Sequence, residues 1–106
     1  MLADDIRDLL TAPKPAVPKP FLERLDSTLT DGYAHALQLE GERRRIEQRI
    51  AEVVAALPED HKGNGQHDPE LVELSERLTS MNECIGALRA LLASLRERRT
   101  ELRSAA

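Results

Sequence analysis

The sequence predicts an all-α protein whose body is a long antiparallel helical hairpin of coiled-coil type. Three observations predict it. Two segments carry apolar residues in unbroken steps of three and four, a polar stretch with two glycines lies between them, and aromatic residues are almost absent. Phe21 and Tyr33 are the single Phe and Tyr, and there is no Trp. A chain rich in Leu, Ala, Glu and Arg but poor in aromatics packs through aliphatic seams between long helices.

Residues 1–12 form the first predicted element, a short amphipathic helix. Leu2, Ile6, Leu9 and Leu10 fall on one face, with Asp4, Asp5, Arg7 and Asp8 largely on the other. An isolated helix of this length is unstable in water, so it needs either the body of the protein or a partner. Ile6, Leu9 and Leu10 are therefore its candidate partner-binding residues. The expected linker, residues 13–19, begins a run with prolines at 13, 15, 18 and 20, which favours an extended, semi-rigid strap. Pro15 to Pro18 is also a PxxP tetrapeptide of the kind that proline-reading domains engage.

The first long helix is expected over 20–57, between Pro20 in its first turn and Pro58 after its end. Its seam is 22, 25, 29, 32, 36, 39, 43, 46, 50, 53 and 57, where all but Gly32 and Arg43 are apolar. Asp26–Gly32 is the weak stretch, built of poor or middling helix formers. Asp31 is a competent cap for a fresh helix, so a kink or break, if there is one, falls there. Residues 58–68 are polar and form the tip loop. Asp68-Pro69-Glu70 then supplies a cap, a first-turn proline and a carboxylate facing the helix dipole. The second long helix, 69–103, has the seam 71, 74, 78, 81, 85, 88, 92, 95, 99 and 102, apolar except at Arg99. Both helices are about 50 Å long at 1.5 Å per residue. Turning back with Leu57 opposite Leu71 puts Arg43 roughly opposite Ile85 and Leu29 roughly opposite Arg99. All these elements are expected to make one domain.

Two helices on one seam bury little surface. Apolar residues also lie outside it: Tyr33 and Leu37 on the first helix, Val72, Cys84, Ala87 and Leu91 on the second. The expectation is a homodimer, two hairpins in a four-helix bundle, with Tyr33, Leu37, Cys84, Ala87 and Leu91 as its oligomer interface. The alternative is that Ile6, Leu9 and Leu10 of the N-terminal helix cover this second stripe within one chain.

No pattern points to catalysis, a cofactor or a metal. Nothing matches a nucleophile–base arrangement or a glycine-rich phosphate loop after a strand. Glu59, Asp60, His61, His67 and Asp68 gather acids and imidazoles in the tip, yet their spacing fits no metal loop, and a polar turn accounts for them. Cys84 is alone, which excludes an intrachain disulfide. A net charge of −4 argues against broad nucleic-acid binding. Met1-Leu2-Ala3-Asp4-Asp5 has no basic, apolar leader character, and no apolar run reaches membrane-spanning length, so a cytoplasmic location is expected.

Arg43 raises one alternative, because a guanidinium in a seam needs a partner. Glu40, Glu47 and Glu101 are candidates for the two seam arginines, and an anionic ligand at Arg43, Arg44 and Gln48 is the rival. Arg44-x3-Gln48-x3-Glu52 resembles the last three positions of the spaced Glu, Ser, Arg, Gln, Asp pattern by which some coiled-coil anti-sigma factors bind cyclic di-GMP. Glu52 replaces the Asp, and Leu37 and Gly41 stand at the two preceding positions. The resemblance covers part of one helix and would imply a small bacterial regulator, binding an anionic ligand or a transcription factor near Arg43–Arg49. The residues themselves point first to a non-enzymatic module for protein–protein interaction or scaffolding, acting through its bundle face and N-terminal arm.

Overall fold

A computed structural model describes residues 1–57 and 68–105, with no account of the Ala105 side chain. The described residues are all-helical: α1 (Leu2–Thr11), α2 (Pro18–Ala56) and α3 (Pro69–Ala105), with no strand among them.

Local chemistry sets the ends. Asp4 and Asp5 sit in the first turn of α1, where carboxylates complement the helix dipole. The helix stops at Ala12, whose φ of −62° and ψ of 142° are extended. Pro13 follows, and the residue before a proline is driven out of the helical region by clash with the ring. α2 begins at Pro18, two residues before the expected Pro20. Both prolines fall in the first turn, where backbone amides have no intrahelical partner, so neither costs a hydrogen bond. At the start of α3, Asp68 Oδ1 accepts from the amides of Glu70 at 2.8 Å and Leu71 at 3.3 Å.

The weak stretch of α2 stays helical, with no break over Asp26–Gly32. The Thr30 hydroxyl donates to the Asp26 carbonyl at 3.1 Å, and Leu25, Leu29 and Gly32 are buried. Burial of that face outweighs the modest propensities of the exposed residues between.

The chain divides into two compact units. Unit 1 is Met1–Leu37 with Gly86–Ala106, and unit 2 is Gln38–Ile85. Every position of both expected seams is buried or half-buried, Arg43 and Arg99 included. In unit 2, Ile46, Val53, Leu71 and Leu74 make the core, with Ile50, Leu57, Leu78 and Met81 packed against it. In unit 1, the largest fully buried side chains are Ile6, Leu9, Leu25, Leu92 and Leu95. α1 therefore supplies two of the most deeply buried residues of that unit, with Leu10 half-buried beside them.

Within each unit, α2 and α3 run in opposite directions, since contacts move down α2 as they move up α3. Their register differs from the expected one by about a turn. In unit 2, Arg43 reaches Asn82 rather than lying opposite Ile85. In unit 1, Arg99 meets Asp26 rather than Leu29. Gly32 shows why: Leu92 fills the space where its missing side chain would be. The one seam residue without a side chain receives a leucine from α3, and that contact fixes the alignment of unit 1.

Candidate interaction surfaces

Unit 1 has two unlike flanks beside its seam. On one, Phe21 is buried and the Arg98 guanidinium lies 5.8 Å from its ring centroid. The same guanidinium donates through Nη2 to the Ala12 carbonyl at 2.6 Å. Ala12 caps the C-terminus of α1, the end of a helix that attracts cations. Arg98 Nε is buried without a hydrogen-bond partner among the described residues. Arg98 thus clips α1 to α3 across the Phe21 ring. Replacing Arg98 with Met keeps an apolar stem on Phe21 but removes the clip, at an expected cost of about 1–2 kcal/mol for a charge-assisted bond at a part-buried site. Hydrogen exchange checks this: α1 amides should lose protection while those of α3 keep it, and unaltered α1 protection would deny the clip.

On the other flank, the Asp26 carboxylate accepts from Arg99 at 3.3 Å and Arg103 at 3.4 Å. Arg99, a seam residue, thereby finds its counter-charge on α2 rather than at Glu101. Tyr33 lies two turns beyond Asp26 on this flank. It is 42% exposed, and Leu37, one turn further, is 69% exposed. Leu91, two turns before Arg98, lies instead on the Phe21 side and is half-buried, while Ala87 beside it is exposed. The residues expected to form one oligomer interface are therefore divided. Tyr33 and Leu37 stand on one flank, Ala87 and Leu91 on the other.

In unit 2, Arg43 donates to Asn82 Oδ1 at 3.4 Å and pairs with Glu47 at 3.5 Å. Arg44 and Gln48 are exposed. Arg49 bridges to Glu70 of α3 at 2.7 Å and to Glu52 at 3.4 Å. The hydrogen bond that Arg49 donates to the Glu70 carboxylate holds its guanidinium above the usual pKa. The side chains of these pairs are more than a third exposed, so solvent screens them and they add little stability. They mark the sides of the unit more than they hold it together. Val54 and Val72 are each 41% exposed. Cys84 is exposed and borders a shallow apolar groove with Leu39, Ile46 and Met81.

Glu59, Asp60, His61 and His67 of the tip lie outside the described residues. Asp68 has a structural role as the cap of α3. Among the described residues no cluster of His, Cys, Asp or Glu is suited to a metal, and no helix is long and apolar enough to cross a membrane.

Neither the Phe21–Arg98–Ala12 clip nor the double acceptor Asp26 is apparent from the heptad pattern. A signal existed for the first. Phe21 is the only Phe in the chain, directly after the strap, where the return of α1 would place it against the body.

No protein-family model, no curated protein and no solved structure matches the chain.

Proposed function

We propose that this protein is a non-enzymatic interaction module: α2 and α3 form an antiparallel coiled-coil hairpin, and two hairpins associate into a homodimeric four-helix bundle that scaffolds or binds other proteins. The observation that carries this reading is the exposed pair Tyr33 and Leu37, which stands beside a seam already buried. The seam does not need these side chains, and an aromatic next to a largely exposed leucine is a typical core for a protein contact.

The flank of α2 and α3 is a stronger candidate for this contact than the N-terminal arm. Ile6 and Leu9 are 0% and 2% exposed, so α1 would have to undock from unit 1 before a partner could reach its apolar face.

Light scattering on the full chain, from low to high micromolar concentration, tests the assembly. A dimer mass is the expected result. A monomer mass throughout the range removes the homodimer.

A further inference from the structure

We infer that the groove beneath α1 in unit 1 is a docking site for an amphipathic helix of a partner protein, and that α1 is its built-in occupant, closing the site until that helix displaces it. The site lies on the Phe21 flank and does not depend on the homodimer.

α1 completes a seam that two helices leave slightly open. Ile46, Val53, Leu71 and Leu74 of unit 2, covered among the described residues by α2 and α3, keep 6–9% of their surface. In unit 1, by contrast, Leu25, Leu92 and Leu95 are fully buried, together with Ile6 and Leu9 of α1. The ten residues of α1 span about 15 Å, or roughly three layers of such a seam. Asp5 and Leu9 share a crevice with Pro20, Arg24 and Thr28, which lays α1 along the first turns of α2. When α1 leaves, Leu25, Leu92 and Leu95 floor an apolar trough, and Phe21 with the stem of Arg98 walls it.

α1 is attached as an exchangeable helix would be. It is too short to stay helical once undocked, so release melts it and leaves no competing folded form. It is held by Ile6 and Leu9, by the half-buried Leu10, and by the bond from Arg98 to the Ala12 carbonyl. Asp4, Asp5, Arg7 and Asp8 are all exposed. Pro13, Lys14, Ala16 and Val17 of the strap are exposed as well, so the strap swings away without disturbing a core.

The seated helix defines the chemistry of its replacement. The groove takes large aliphatic side chains at i, i+3 and i+4, the places of Ile6, Leu9 and Leu10, and leaves the opposite face to solvent. Arg98 reads the helix end, because a guanidinium complements the carbonyls and dipole of a C-terminus. α1 does not use all that Arg98 offers, since its Nε is buried without a hydrogen-bond partner among the described residues. A helix ending there in a carboxylate supplies a second acceptor for that donor.

The test titrates a peptide of residues 1–12, labelled at its exposed Met1, into full-length wild type and full-length Ile6→Asp, in which α1 is undocked, with helix content followed by circular dichroism. Saturable binding of one peptide per chain is expected in Ile6→Asp. Wild type should bind at least about a hundredfold more weakly, because only its undocked fraction is competent. The same peptide carrying Ile6→Asp should bind neither protein. The form ending in the Ala12 carboxylate should bind more tightly than its amide, and adding Arg98→Met to the acceptor should abolish that difference. Equal affinity for wild type and Ile6→Asp would place the site elsewhere and overturn the inference. So would no saturation up to about a millimolar, the effective concentration a short tether supplies. Loss of α2 and α3 helicity in Ile6→Asp would overturn it too, since no groove would then outlast the departure of α1. Equal binding of carboxylate and amide would remove Arg98 from the recognition. Each outcome reads the same whether the protein is a monomer or a dimer.

Discussion

Replacing Ile6 with Ala should lower the stability of unit 1 by about 2–4 kcal/mol, within the range for truncating a fully buried Ile or Leu. Ile6 is completely buried, and Leu9, one turn on, nearly so. α1 has too few residues to remain helical on its own, so its helicity and its docking are one equilibrium. That coupling caps the loss. Once the substitution costs more than docking is worth, α1 leaves and no further stability is lost from that source. Ile6→Asp should therefore resemble deletion of residues 1–17 and exceed Ile6→Ala only modestly. Chemical denaturation of the three proteins, with hydrogen exchange to locate the loss, checks the prediction. If deletion left stability unchanged, α1 would be an arm with no structural role. If Ile6→Asp fell far below the deletion, the charge would be damaging α2 and α3 directly.

The seams and the docking of α1 show what the sequence could and could not reveal. A seam is legible because burial imposes a period, and that period survives one glycine and two arginines. It says nothing of which α3 residue faces which α2 residue, because a slide by one turn keeps every seam position inward. Gly32 decides the alignment in unit 1, but a glycine in the sequence carries no mark of the leucine that fills its place. The clip is hidden for another reason. Arg98 sits in the run from Arg96 to Arg103, where basic residues are explained well enough by the end of their own helix. Its actual carbonyl, on Ala12, belongs to a different helix. Tyr33, Leu37, Cys84, Ala87 and Leu91 form one group in the sequence because each is a small or apolar residue outside the seam. Separating them needed the Asp26 and Phe21 contacts, which show which outside position lies on which side.

The same substitution, glycine to alanine, should have opposite signs at two positions of α2. Both Gly32 and Gly41 are interior to the helix, where alanine is favoured over glycine by about 1 kcal/mol. At Gly41 nothing lies within 4 Å of the new Cβ, so Gly41→Ala should gain about that amount. At Gly32 the new Cβ would collide with Leu92 Cδ2, and Cγ of the same leucine is 3.4 Å away. Leu92 is fully buried, so its terminal methyl cannot swing into solvent and the surrounding packing must shift. Overpacking of this kind costs about 1–3 kcal/mol, which outweighs the gain in propensity. Gly32→Ala should therefore lose about 1–2 kcal/mol net. A double-mutant cycle isolates the cause. Leu92→Ala alone should cost about 2–5 kcal/mol through the cavity it leaves. Adding Gly32→Ala to it should then be stabilising, because the alanine methyl enters that cavity instead of striking a leucine. Urea denaturation of the four proteins measures the coupling. A Gly32→Ala change that stabilised the protein as Gly41→Ala does would mean that α2 and α3 do not meet at Gly32 and Leu92, and the one-turn register would fall with that contact.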